Sequence, residues 1–94
     1  MDTYFFEWDE NKNNINKVKH QISFEEASTA FYDENALLIT DPEHSEEEER
    51  FVLLGLSKFS NLLVVCHCYR HSDTYIRIIS ARKATKNETK QYFQ

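Results

Sequence analysis

With 94 residues, the chain is long enough for one hydrophobic core and too short for two, so residues 1–94 are read as a single domain. Hydrophobic residues at 40% and aromatics at 14% exclude general disorder, and the longest apolar run, Leu62 to Cys66, is far too short to cross a bilayer. The formal charge of −5 is unevenly spread: residues 1–40 hold eight acids and three bases, residues 41–49 hold six acids, and residues 50–94 hold two acids and eight bases. A basic half of this kind gives an acidic protein a local field that attracts phosphate, unless the charges intermix once folded.

In chain order, Tyr4 to Trp8 reads as a first strand, ended by Asp9, a good helix N-cap. A helix follows from Glu10 to about Lys19, with Ile15, Val18 and Ile22 at helical spacing on its expected inner face. Ser23 and Glu26 have the spacing of a capping box and open a second helix with an apolar stripe of Phe24, Ala27 and Phe31, ended by Asp33-Glu34-Asn35. Ala36 to Thr40 is a short strand stopped by Asp41-Pro42, because proline cannot donate to a ladder, and an acidic loop runs on to Glu49. Arg50 to Ser57 and Asn61 to Arg70 form a predicted hairpin around Lys58, and a second hairpin turns at His71-Ser72-Asp73.

The strand after that turn, covering about 74–81, carries a cation in its middle. Strict alternation puts Tyr75, Arg77 and Ile79 on one face and Ile76, Ile78 and Ser80 on the other, while Arg82 and Lys83 follow where the strand must end. Thr85 and Glu88 repeat the capping-box spacing and start a terminal helix, with Tyr92 and Phe93 available for docking. The order strand, two helices, four strands, helix predicts a compact α+β domain whose sheet is mainly antiparallel, with both N-terminal helices on one side of it.

Cys66 and Cys68 are one residue apart on a predicted strand, a poor spacing for a loop-closing disulfide, and Met1-Asp2-Thr3 has neither the basic residues nor the apolar stretch of a signal peptide. A reducing cytoplasm is the expected location. Cys66-His67-Cys68 with His71 invites a zinc reading, but the two thiols share one strand face and His67 takes the other, so the expectation is no metal. Asp41, His44 and Ser45 resemble parts of a nucleophilic triad, yet in a short acidic loop a turn-forming role is the better reading.

Phe6-Glu7-Trp8-Asp9-Glu10-Asn11-Lys12, Asn16 with Lys19-His20, Ser23-Phe24-Glu25-Glu26-Ala27 and Phe31-Tyr32-Asp33 carry a family resemblance. It continues through Asp41-Pro42-Glu43-His44-Ser45, Glu49-Arg50, Gly55-Leu56-Ser57 and Arg77-Ile78-Ile79-Ser80-Ala81-Arg82. In order and approximate spacing, from about residue 6 to residue 92, these resemble the BrnT family of bacterial type II toxins. The resemblance implies a RelE-like fold, ribonuclease activity that arrests translation, and neutralisation by a cognate BrnA-type antitoxin through which the complex binds operator DNA. Where such proteins usually have glycine after Lys-His, this chain has Gln21, so its first helix cannot end on a glycine cap.

A metal-independent ribonuclease needs a base for a ribose 2′-hydroxyl, cations for charge growing on phosphate oxygens, and a proton donor for the leaving oxygen; no cofactor is expected. Arg77, Arg82 and Arg50 are candidates for the phosphate, since a guanidinium offers forked hydrogen bonds. On the residues alone, without the resemblance, a partly buried Arg77 paired with an acid on the next strand is an equal reading, and Arg82 and Lys83 by themselves are more often solvated strand-end charges. His20 is the candidate proton-transfer group, or else a helix-end histidine on the last carbonyls; Lys19 beside it is a candidate phosphate contact. Lys83 and Trp8 are the remaining candidates for RNA binding, although a tryptophan ending a first strand belongs more often to the core. His67, set among apolar strand residues, reads first as structural. The competing functional class is a non-catalytic protein-interaction or RNA-binding module of the same fold.

Overall fold

The computed structural model describes residues 3–40 and 49–94 and contains, in order, β1 (Phe5–Glu7), α1 (Glu10–His20), α2 (Phe24–Thr29), a 3-10 turn (Ala30–Tyr32), β2 (Leu37–Thr40), β3 (Phe51–Leu56), β4 (Leu62–Tyr69), β5 (Tyr75–Lys83) and α3 (Lys86–Tyr92). The strands form one sheet in the order β1-β5-β4-β3-β2. From β2 to β5 the pairing is antiparallel, as expected of a meander. The sheet is nevertheless mixed, because β1 lies parallel to β5 at the edge opposite β2, pairing Phe5, Phe6 and Glu7 with Tyr75, Ile76 and Arg77. The predicted triad elements Asp41, His44 and Ser45, and most of the acidic run, lie outside the described residues.

One face of the sheet carries the core. Leu53 from β3, Leu63 and Val65 from β4, and Ile76, Ile78 and Ala81 from β5 pack with Ile22, Phe24, Ala27, Ala30 and Phe31 from the helical segment. Gly55 lies where β3 passes the 3-10 turn: a Cβ there would meet the carbonyl oxygen of Ala30 at 2.9 Å, so only glycine permits the approach.

The caps follow local chemistry. Asp9 accepts from the backbone of Asn11 and Lys12 at the start of α1, and Thr85 and Glu88 complete the reciprocal box at the start of α3. In place of glycine, Gln21 itself adopts the left-handed conformation at φ 60° and its N–H donates to the Lys17 carbonyl. The box at α2 is only half made. Ser23 accepts from Glu26 N, but the Glu26 carboxylate is taken by Ser57 Oγ at 2.7 Å and Asn61 Nδ2 at 2.8 Å, and so tethers the β3–β4 turn instead.

Helix α1 overturns the expected inner face. Ile15 and Val18 are 63% and 81% exposed, while Asn13 and Asn16 are buried; of the three predicted apolar positions only Ile22 is inside. The reason is the length of β1. It covers three residues of β5, which leaves the outer edge of β5 beyond Arg77 without a strand partner. Asn16 fills that role: its Oδ1 accepts from Ala81 N at 3.2 Å, and its Nδ2 donates to Ala81 O and Ile22 O at 2.8 Å each. A carboxamide, with both donor and acceptor, satisfies a strand edge that an isoleucine would leave unpaired. Asn13 similarly accepts from Phe24 N at 2.8 Å and donates to Glu10 and Glu25. Its hydrogen bond is the main reason that the Glu25 carboxyl is held below the usual carboxylate range.

Candidate active site

The other face of the sheet forms a cleft of about 410 Å³, in the size class of pockets that hold one small ligand or nucleotide. Its lining brings together four bases from three parts of the chain: Lys19 and His20 at the end of α1, Arg50 just before β3, and Arg82 near the end of β5. Val52, Val64 and Cys66 form the apolar floor between them, with Ile79 and Ser80 from β5. No carboxylate stands among the described residues that line it.

Arg82 reaches this face because β5 departs from strict alternation. Cys66 pairs with Ser80 while the next residue, His67, pairs with Ile78, so Ile79 is an extra residue and the register shifts there. Ile76, Ile78 and then Ala81 are buried in the core, while Ile79, Ser80 and Arg82 line the cleft. Ser80 therefore does not share the face of Ile76 and Ile78 as strict alternation requires. A bulge of this kind re-aims side chains without ending the strand.

The Arg82 guanidinium is held from one edge. Nη1 donates to Glu88 Oε1 at 2.8 Å and to the Lys83 carbonyl at 3.2 Å, and Nη2 donates to Glu88 Oε2 at 2.9 Å. Glu88 Oε1 also accepts from Thr85 N at 2.8 Å, so one carboxylate both caps α3 and grips the arginine. The hydrogen bonds from Arg82 push the Glu88 carboxyl down to about 2, and Glu88 in turn raises the guanidinium, which stays cationic. At its far end α3 is tied down by Tyr92, whose hydroxyl donates to Asp33 Oδ2 at 2.6 Å. That bond pushes the Tyr92 phenol up to about 12. Burial opposes the Asp33 charge but is outweighed by the bonds from Tyr92, Leu56 N and Asn35 N, and the carboxyl lies below its usual range.

Arg77 does not line this cleft. Its Nη1 donates to Glu7 Oε2 at 2.7 Å across the β1–β5 pair, and Arg70 Nε lies 3.8 Å from the same oxygen. Lys83 is exposed near the end of β5. Trp8 packs edge-on against Phe24 and donates from Nε1 to Glu10 at 3.1 Å, which ties the end of β1 to α1. His67 is fully buried on the core face against Phe31, with Nδ1 3.0 Å from the Val65 carbonyl. Burial pushes its imidazole down to about 4, so it is neutral at pH 7 and has no route to the cleft. Cys66 and Cys68 lie on the opposite strand face from His67, and no group of three His, Cys, Asp or Glu positioned for a metal occurs among the described residues.

Sequence reading missed Glu88 as part of the site, although a signal existed. Glu88 and Asp73 are the two acids in residues 50–94, and Glu88 lies six residues after Arg82, across a tight strand-to-helix turn. Cys66, Val52 and Val64 were missed because apolar lining residues look like core until the second layer over the sheet is known.

No helix among the described residues is long and apolar enough to cross a membrane. A search of curated protein sequences returns no significant match. The chain is similar in fold to the crystal structure of the Brucella abortus ribonuclease toxin BrnT at 1.1 Å resolution, with a TM-score of 0.64 and 21% identity over 89% of this chain and 100% of that one. The family model described as ribonuclease toxin, BrnT, of type II toxin-antitoxin systems matches residues 8–88, which include Lys19, His20, Arg50, Arg82 and Glu88, and the chain belongs to that family.

Proposed function

We propose that the chain cleaves RNA without a metal cofactor, on a RelE-like scaffold, and thereby arrests translation in the cytoplasm. The single observation that carries this reading is the convergence of Lys19, His20, Arg50 and Arg82 on one cleft. In the proposed reaction a ribose 2′-oxygen attacks the adjacent phosphorus as its proton passes to a base; the P–O5′ bond breaks, leaving a 2′,3′-cyclic phosphate and a protonated 5′-oxygen. His20 is the proton-transfer group because, of the lining side chains, it is the one with an imidazole, which can take a proton at one nitrogen and give one back. Arg82, Arg50 and Lys19 stabilise the charge that grows on the phosphate oxygens. The described lining offers nitrogen cations instead of the oxygen donors that hold magnesium, which supports the metal-independent form. Arg77, bound to Glu7, is read as joining β1 to β5.

The partner is a cognate BrnA-type antitoxin, through which the complex binds operator DNA. Exposed Ile15 and Val18 on α1, and Leu37, Leu38 and Ile39 on the edge strand β2, supply apolar surface for it. The test is incubation of the purified protein with cellular RNA in EDTA. Cleavage that persists in EDTA and disappears in Arg82→Ala is expected; intact RNA with folded protein would favour a non-catalytic binding module.

A further inference from the structure

The planar guanidinium of Arg82 has five N–H donors, and their use divides along its edges. Both hydrogens of Nη1 and one of Nη2 go to Glu88 and Lys83. The remaining Nη2 hydrogen and the Nε hydrogen lie side by side along the other edge, and no described residue accepts from them. That pair is itself a fork of the kind that takes two oxygens of one phosphate. Glu88 thus occupies the end of the guanidinium and leaves its side for a second anion. A carboxylate that competed with phosphate would have to take the only fork; this one takes one of two.

Glu88 is also fixed independently of Arg82. Its Oε1 accepts from the backbone N–H of Thr85, a bond that does not involve the Thr85 side chain, so the carboxylate is tied to the first turn of α3. A long arginine side chain ordinarily loses considerable rotamer freedom when it is fixed on a ligand. Here that ordering is already present before any ligand binds. We infer that Glu88 is a positioning residue for RNA cleavage: it orients the Arg82 guanidinium so that its Nε/Nη2 edge meets the phosphate whose bond breaks. This rests on the proposed phosphate role of Arg82 and adds to it the residue through which α3 takes part in the chemistry.

The test uses the full chain and a short labelled oligoribonucleotide, with kcat, KM and thermal midpoint measured for Glu88→Gln, Glu88→Asp, Thr85→Ala, Arg82→Ala and the double variant Arg82→Ala/Glu88→Gln. Glutamine keeps an oxygen for the cap but turns an N–H toward Nη2, so it breaks the grip on Arg82 more than it breaks the helix. The expected result is a fall in kcat of about tenfold or more in Glu88→Gln, the scale of loss that follows from a misplaced reacting group, with KM changed about twofold at most. Aspartate keeps the charge with a shorter reach and is expected to lose kcat as well, which preserves the test if the glutamine variant does not fold. Thr85→Ala removes the reciprocal cap without touching the guanidinium, so its thermal midpoint should fall while kcat holds. Glu88→Gln should cost nothing further on the Arg82→Ala background. Parental or higher kcat in Glu88→Gln overturns the inference, as does an equal loss of kcat in Thr85→Ala. If Arg82→Ala is inactive while Glu88→Gln is fully active, positioning alone fails; if Arg82→Ala cleaves at the parental rate, the phosphate role of Arg82 fails with it.

Discussion

The two halves of β5 carry one arginine each outside the core, and the structure treats them differently. Arg77 lies where β1 still runs alongside, and its guanidinium meets Glu7 at 2.7 Å from the paired position on that strand. Arg82 lies past the end of β1 and past the bulge, where Asn16 stands in for a strand and Glu88 holds one edge of the guanidinium. The first arginine answers a charge inside the sheet. The second belongs to a cleft with three other bases. What separates the two in the structure is place: Arg77 lies outside the cleft with its guanidinium on Glu7, while Arg82 lines the cleft with Glu88 on one edge of its guanidinium.

The largest effect that could break this comparison is on catalysis. Arg82→Ala should raise the cleavage barrier by about 2.7–4 kcal/mol, the cost of losing one preorganised donor, while the thermal midpoint falls only by the smaller contribution of its part-exposed pair with Glu88. Arg82→Lys should lose most of that activity too, since lysine keeps the charge without the fork. Arg77→Ala should leave the rate per folded molecule near parental. Cleavage rates for the three variants decide the point, and the reverse pattern would make Arg77 the phosphate ligand.

Next is the edge that lets Arg82 leave the β1 pairing. Asn16→Ala strands the N–H and C=O of Ala81 and the carbonyl of Ile22, so unfolding in denaturant should show a loss of about 2–4 kcal/mol. An unchanged midpoint would mean that water or backbone adjustment satisfies the strand edge without it.

His67 sits opposite Ile78, where the register shifts between the two halves. Its folded pKa of about 4 lies below the ordinary 6.5, so the unfolded chain binds more protons between those values. The stability that neutral His67 contributes is full above pH 6.5 and is lost as pH falls toward 4, on the order of 3 kcal/mol. His67→Phe should flatten the dependence of the thermal midpoint between pH 6.5 and 4.5. Glu88 acts lower: with its folded pKa of about 2 depressed from 4.5, its contribution stands above pH 4.5 and goes as pH falls toward 2.

The smallest effect sharpens the Arg77 side. Its pair with Glu7 is about one third exposed on both sides, so solvent screening limits it to about 1 kcal/mol. A double-mutant cycle of Arg77→Ala and Glu7→Ala on thermal stability should return a coupling of that size and no coupling in cleavage rate. A coupling in rate would place the pair in the chemistry.

Read in the chain alone, the elements with local causes were legible. Asp9, Ser23 and Thr85 marked helix starts, the turns around Lys58 and Ser72 marked hairpins, and the alternation of β3 and β4 correctly placed His67 opposite Cys66 and Cys68. The family motifs were legible for the same reason, as they are strings of adjacent residues. Helix α1 was misread because Ile15 and Val18 fit a helical stripe as well as any core pair would, and nothing nearby says that the sheet edge needs the carboxamide of Asn16, or the start of α2 that of Asn13.

The sequence by itself determined the class of the domain, its caps, its hairpins and the family to which it belongs, because each depends on side chains within a few residues of one another. Tertiary structure decided which face Arg82 occupies, what Arg77 binds and why α1 buries asparagine. Those outcomes depend on a one-residue bulge, on a partner 70 positions away at Glu7, and on a strand edge 65 positions from Asn16. A bulge inverts the faces of everything after it, and an edge has a hydrogen-bonding demand only once the neighbouring strand has ended, so neither is written in a window of local sequence.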